Sequence, residues 1–233
     1  MGFKPIKLIK SILSEVLYKH EVHQYSVPNL LLKEAIKDSA DFAKTNMSDA
    51  MMFFDHQGIW DYTISLISKQ NKPGHILEFG VYQGTSINYF AKQLPKQVFF
   101  GFDSFEGLQE DWKGWSLRKG AFNLNGKLPE VESNVKLVKG WFNESLPTFI
   151  HSNPIEQLNC LHIDCDTYEA TVCVFEELEK QIKPGTLILF DEYFGYRGWE
   201  QGEYKAFEEL TKRANLKFKF LAFAKCQVLV EIL

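Results

Sequence analysis

Three groups of acidic residues carry side chains that could do chemistry. Glu78 stands in ILEFGVYQGTSI, spaced E-x-G-x-x-x-G with Gly80 and Gly84. Glycines there allow a tight turn and close approach of a ligand to the backbone, and Thr85 and Ser86 fall where they would cap or line the next helix. Asp103 ends VFFGFD about 25 residues later, a spacing at which an acid commonly hydrogen-bonds ribose hydroxyls. The third group is HIDCD (162–166) with FDEY (190–193), which supplies Asp164, Asp166, Asp191 and Glu192.

These residues need a scaffold that brings them to one edge. Beyond Pro73-Gly74 short apolar runs alternate with helical patterns: HILEF (75–79), QVFFGF (97–102), VKLV (135–138), CLHI (160–163) and TLILF (186–190). Strands apolar nearly throughout are covered on both faces, as in a parallel sheet with crossover helices. The helices are predicted near 84–94, 144–151, 168–182 and 203–214. FKFLAF (218–223) and QVLVEIL (227–233) are too close for a crossover and predict an antiparallel hairpin. Residues from about 5 to 70 read as helices, giving a helical cap or arm over 1–72 and a ligand-binding domain over 73–233. In such sheets ligands lie beyond the carboxyl ends of the strands.

Two carboxylates at adjacent strand tips suit a nucleoside-like ligand that carries a positive charge, and S-adenosylmethionine is such a ligand. Glu78 would receive its ammonium group and Asp103 its ribose. Tyr82 breaks the G-x-G-x-x-G pattern, which disfavours a nicotinamide dehydrogenase. Trp141 and Phe142, directly after a strand, would flank a flat base, or else serve as ordinary core residues.

If CLHI and TLILF are neighbours, Asp164, Asp166, Asp191 and Glu192 converge, and four carboxylates repel unless a cation or protonation relieves them. Magnesium takes oxygen ligands and retains waters, so two or three of these acids plus substrate oxygens suit it. The competing reading has Asp166 capping the helix near Tyr168 and Glu192 facing solvent. A bound divalent ion lowers the pKa of a coordinated hydroxyl; Asp164 or His162 would take the proton, although His162 sits in a strand where a satisfied core residue is the default.

Composition narrows the classes. With 233 residues, 45% hydrophobic, 24% charged and a formal charge of −4, the chain reads as an ordinary globular protein without the basic excess of a nucleic-acid binder. No apolar run approaches the ~20 residues that span a bilayer, so no stable membrane insertion is expected. Cys160, Cys165, Cys173 and Cys226 form no C-x-x-C pair and read as free thiols of a reducing cytoplasm. The opening segment, with Lys4, Lys7 and Lys10 against Ile9, Ile12, Leu13, Val16 and Leu17, reads as a basic amphipathic helix that would dock on the domain or on another subunit, leaving homo-oligomerisation open, with peripheral membrane contact as the competing reading. Two long connections, 104–130 with Trp112, Trp115, Arg118 and Phe122, and 191–203 with Tyr193, Tyr196, Arg197 and Trp199, would shape an acceptor site.

LEFGVYQGTSI, GFDSFEGLQEDW, KGWFNESLP, HIDCDTYEAT and FDEY, in that order over about residues 75–200, resemble the macrocin and mycinamicin sugar O-methyltransferases and the related noviose enzyme. The resemblance implies a Rossmann-like α/β fold, a seven-stranded mostly parallel sheet with a C-terminal antiparallel hairpin and N-terminal helices. It also implies transfer of a methyl group from S-adenosylmethionine to a sugar hydroxyl with Mg2+. By the resemblance Glu78, Gly80, Gly84, Asp103 and Ser104 hold the cofactor, to which the loop and third strand tip add Tyr82, Ser86, Trp141 and Phe142. The resemblance likewise implies that Asp164, Asp191 and Glu192 hold the metal; from the residues' own chemistry Asp166 is the substitute ligand and Asp164 the catalytic residue. Gln109 stands where the family usually has Pro, and Glu192 where a second Asp is frequent. A catechol-like acceptor, or a non-enzymatic nucleotide-binding module, are the competing functions.

Overall fold

The computed structural model describes residues 26–70, 74–112 and 114–233. The basic amphipathic segment around Ile9 to Leu17 lies outside the described residues. From Val27 the order is α1 (Val27–Asn46), β1 (Met51–Phe53), α2 (His56–Gln70), β2 (His75–Phe79), α3 (Thr85–Gln93), β3 (Phe99–Asp103), β4 (Val135–Lys139), α4 (Phe142–Ser152) and β5 (Leu158–Ile163). There follow α5 (Tyr168–Leu178), β6 (Leu187–Phe190), a short 3-10 turn (Trp199–Gln201), α6 (Glu203–Arg213), β7 (Phe218–Ala224) and β8 (Gln227–Ile232).

The strands form one sheet in the order β1-β7-β8-β6-β5-β2-β3-β4. β8 runs antiparallel to both β6 and β7, and the other pairs are parallel. The chain therefore leaves β2 toward β3 and β4, then returns to β2's other side as β5 and continues outward to β6. That reversal between β2 and β5 is the switch point at which a ligand crevice opens.

The sheet has eight strands among the described residues rather than the expected seven. β1 lies in the stretch read as helical. Its three residues are too few to show an alternating pattern, and Met51 and Met52 are exposed; pairing with the edge of β7 makes them a strand.

Alternation along the strands divides the core. Leu77, Phe79, Leu161 and Ile163 face a cluster completed by α1, α4, α5 and α6, while Ile76 and Cys160 face one completed by α2 and α3. The helices that precede β2 thus pack into the same core. Phe102 is fully buried, stacked on Phe79 with ring centroids 4.8 Å apart and edge-on to Phe149 at 5.0 Å. Phe102→Ala is expected to cost about 3–5 kcal/mol through lost burial and the cavity left behind, read as a lowered denaturant midpoint with unchanged slope.

Phe42 of α1 meets Tyr193, Trp199, Tyr204 and Phe220 at centroid distances of 5.4–6.3 Å. Ser39 accepts a hydrogen bond from the Gly195 N–H at 2.8 Å. Tyr193 and Trp199 are consequently buried, and Tyr196 is buried near Trp112 and Trp115. The 191–203 connection, read from sequence as an acceptor-facing loop, is anchored into the core by its aromatic residues.

Candidate functional site

A cavity of about 460 Å3 opens at the carboxyl ends of β2 to β6, lined by residues of all five connections. That volume lies in the ordinary ~300–1,000 Å3 range of small-molecule sites. Gly80, Tyr82, Asp103, Ser104, Trp141, Phe142, Asp164, Asp191 and Glu192 all line it. Gly84, Ser86 and Glu78 do not appear on its wall.

The first loop is held in place by Asp103. Its Oδ2 accepts the N–H groups of Val81 at 3.0 Å and Tyr82 at 2.8 Å, and its Oδ1 accepts that of Phe105 at 2.6 Å. An ionised carboxylate offers about four acceptor sites, so three backbone bonds leave room for one more donor from the cavity. Gly80 has φ +96°, and a Cβ there would lie 1.8 Å from the carbonyl oxygen of Asp164. Only glycine lets the two chains pass so closely. Gly84, with φ +80°, starts α3, so it serves the turn. Tyr82 sits edge-on to Phe122, centroids 5.3 Å apart, bringing the 104–130 connection over the same opening. Trp141 is the cap residue of α4, and Phe142 in its first turn packs edge-on to Phe79. Both aromatic residues are partly buried, and each also contributes to the cavity wall.

Glu78 was expected to meet a ligand's ammonium group directly. It is instead buried on the α3 face of the sheet. Ser86 Oγ donates to its Oε1 at 2.9 Å, and His162 Nδ1 lies 2.9 Å from its Oε2. Sheet register explains the pairing, because Glu78 and His162 are direct partners across β2 and β5.

The acidic residues do converge. Two groups offer ligand atoms that all lie within 4.8 Å of one another: His162, Asp164 and Asp191, and Asp164, Asp166 and Glu192. Asp164 belongs to both. The expected trio of Asp164, Asp191 and Glu192 draws on both groups without being either one. Members of the second group all line the cavity, whereas His162 does not. Magnesium at ~2.0–2.1 Å from its ligands sets neighbouring oxygens roughly 3 Å apart, which small side-chain rotations would reach here. Glu192 Oε2 is buried without a hydrogen-bond partner, as an oxygen kept for a cation would be. The donor set is all-oxygen and fits a hard divalent ion.

Crowding governs the charges. Burial, then the neighbouring Asp191 and Asp166, push Asp164 well above the usual carboxylate range. Burial, then Asp191 and Asp103, push Asp166 up to about 7. Burial and Asp191 also raise Glu192. Burial opposes ionisation of Asp191 too, but the adjacent His162 and Gln227 prevail and hold it at about 2. Burial pulls His162 down, yet Asp191 and Glu78 outweigh it and hold its ring well above the ordinary value.

Asp166 was a candidate helix cap. Thr167 does that instead, its hydroxyl accepting the Ala170 N–H at 3.4 Å. Asp166 is left with φ +62°, a left-handed conformation uncommon outside glycine and one that collects at functional sites. Glu203 and Gln227 open the helix and the strand that the sequence predicts over 203–214 and 227–233. Glu203 is buried at the start of α6, and its Oε2 accepts the Glu192 N–H at 3.0 Å. Gln227, the first residue of β8, donates its amide to Asp191 Oδ1. The signal in sequence was only a polar residue at each of two positions that folding buries.

Trp112 lines the cavity and is nearly buried, its ring packed on Trp115 at 5.6 Å and near Tyr196 at 6.4 Å. A Cβ at Gly114 would lie 2.1 Å from the Arg197 carbonyl oxygen, so the 104–130 and 191–203 connections meet backbone to backbone beside the opening. No helix among the described residues is long and apolar enough to cross a membrane. All four cysteines are free thiols.

A family model described as a methyltransferase domain matches residues 77–193. The 8-demethyl-8-(2,3-dimethoxy-alpha-L-rhamnosyl)-tetracenomycin-C 4'-O-methyltransferase of Streptomyces olivaceus is 26% identical over 155 residues, 57% of this chain and 58% of that protein. The mycinamicin III 3''-O-methyltransferase of Micromonospora griseorubida is 23% identical over 215 residues, 81% of this chain and 82% of that one. The chain thus spans less than two thirds of the length of the first. A crystal structure of a calicheamicin methyltransferase superposes with a TM-score of 0.60 at 20% identity, covering 99% of this chain and 94% of the other, a likeness of fold.

Proposed function

The chain belongs to the methyltransferase family whose domain model spans residues 77–193, and from that premise we propose that it transfers the methyl group of S-adenosylmethionine to a hydroxyl of a sugar or glycosylated metabolite, with help from Mg2+ or a similar divalent cation. The observation that carries this reading is one cavity with Asp103 and the Gly80–Tyr82 loop on one side and Asp164, Asp166, Asp191 and Glu192 on the other. A nucleoside and a chelated oxygen both find partners there, side by side.

Asp103 offers its remaining acceptor site to the ribose, and Ser104 stands beside it. Trp141 and Phe142 provide faces for the adenine. Glu78 acts from beneath, keeping the start of α3 in place through Ser86. Asp164, Asp191 and Glu192 hold the cation. When bound there it lowers the pKa of a coordinated hydroxyl and fixes its direction. Asp166 takes the hydroxyl proton, because it lines the cavity, is relieved of capping by Thr167 and lies against Asp164 and Glu192. This moves the base from Asp164, which is occupied with the cation, to its neighbour two residues on. Trp112, at the seam of the two outer connections, is a face on which a sugar ring would stack. The acceptor is a small molecule; no nucleic-acid partner is implied.

The test is direct. Purified protein is titrated with S-adenosylmethionine by calorimetry, then screened with nucleotide sugars, glycosides and catechols for release of S-adenosylhomocysteine, with and without EDTA. Binding of the cofactor and EDTA-sensitive methylation of a glycosidic hydroxyl are expected. Absence of cofactor binding sinks the proposal. Turnover indifferent to EDTA removes the cation, and methylation of catechols alone replaces the sugar by an aromatic acceptor.

A further inference from the structure

Beneath the cavity runs a polar seam that the transfer reaction does not itself require. Ser86 Oγ donates to Glu78 Oε1, and His162 Nδ1 meets Glu78 Oε2 at 2.9 Å. His162 Nε2 faces Asp191 Oδ1 at 3.8 Å, and the amide of Gln227 reaches the same Oδ1. These side chains come from α3, β2, β5, the end of β6 and the start of β8, crossing the sheet just under its carboxyl edge.

Two features set His162 apart from an ordinary core histidine. Its side chain is 5% exposed, and its Nε2 is buried with no hydrogen-bond partner. A buried ring nitrogen left unpaired is destabilising, so a ring needed only to satisfy Glu78 would be a poor choice there. The nitrogen also has a definite aim. Asp191 is fixed at its backbone by its own N–H, which donates to the Ile163 carbonyl oxygen at 2.9 Å, and its Oδ1 lies a small side-chain rotation from Nε2.

We propose that His162 is a positioning residue for the cation site: with Gln227 it engages Asp191 Oδ1, so that Oδ2 alone is presented to the cavity. The inference rests on the cation reading given above. It follows the general behaviour of carboxylate ligands, whose orientation is set by hydrogen bonds to the oxygen that does not bind the ion. Here the ring is held by a strand and steadied by Phe90, whose ring lies at 27° to it with centroids 6.1 Å apart. A ligand oriented from a rigid element in this way is kept in a productive geometry before the ion arrives.

Asn and Gln separate the two roles of the ring. The amide nitrogen of Asn superposes on Nδ1 and that of Gln on Nε2. H162N keeps the donor toward Glu78 and loses the one toward Asp191, and H162Q does the reverse. Binding of Mn2+ alone to the full chain is followed by its electron paramagnetic resonance signal, with Mg2+ as competitor, thermal melting as the folding control and S-adenosylmethionine affinity measured by calorimetry in EDTA. H162N is expected to weaken Mn2+ binding by roughly 10–100-fold and H162Q by no more than about threefold, both with unchanged cofactor affinity. Wild-type Mn2+ affinity in H162N, or a loss in H162Q equal to that in H162N, overturns the proposal. Gln227→Met removes the other donor to the same oxygen without touching the ring, so it decides the matter if H162N does not fold. About tenfold weaker Mn2+ binding supports the seam, and unchanged binding overturns it. A wild-type chain that binds S-adenosylmethionine and turns over but takes up no Mn2+ removes the cation reading, an outcome distinct from failure of the His162 assignment alone.

Discussion

Asp164→Asn is expected to lower turnover about a thousandfold while leaving S-adenosylmethionine binding within about threefold. The substitution keeps the shape of the side chain and removes its charge. Asp164 is the residue common to both candidate ligand groups, so its loss disturbs each of them. A Lewis-acid contribution of several kcal/mol, at about 1.4 kcal/mol per decade, sets the scale. Stability should move the other way. Asp164 is half-buried, and its partial desolvation and the like charges around it raise its pKa, so a neutral amide relieves repulsion and should leave the melting temperature unchanged or higher. Stability held at the expense of activity is the mark of a functional residue. Turnover within tenfold of wild type would show that Asp164 does not hold a cation needed for the reaction.

Asp103→Ala should abolish cofactor binding by calorimetry and also lower stability, a combination that separates it from Asp164→Asn. Three backbone N–H groups from two loops converge on this carboxylate. Each donor left unsatisfied costs roughly 1–3 kcal/mol where water cannot reach it. Val81 is buried, Tyr82 is 38% exposed and Phe105 is buried, so Val81 and Phe105 bear most of the loss. The first loop would then no longer hold Gly80 and Tyr82 against the cavity. Asp103→Asn is the useful intermediate: it retains one acceptor oxygen and should keep part of the fold stability while still binding the cofactor poorly. Cofactor affinity unchanged in Asp103→Ala would show that the nucleoside lies elsewhere.

Much of this architecture was legible from sequence because it rests on local pattern. Apolar runs bounded by turns located β2 to β8, and the short gap before Gln227 fixed the hairpin. Asp103 and the acids of HIDCD and FDEY were recognisable because polar residues at the ends of apolar strands have few structural reasons to be there. What the pattern could not convey was which partner each polar group would find. Glu78 reads as a strand-tip ligand until register places it opposite His162. Glu203 lies 11 positions and Gln227 36 positions from the acids they meet, and only the packing of α6 and β8 against β6 turns them inward. Tyr193 and Trp199 look like a loop's exposed aromatic residues, but Phe42 lies more than 150 positions earlier and folding over it buries them. β1 is too short to announce itself and exists through pairing at long range.

The missing side chain at residue 80 has a mechanical consequence. Because the backbone there passes against the carbonyl of Asp164, the first loop and the acidic edge of the cavity are in direct backbone contact, and in the proposed transfer this contact sets the donor side against the cation side. In the proposed transfer, variation in which alcohol is accepted is therefore expected in the side chains of the outer connections around Trp112, away from that contact.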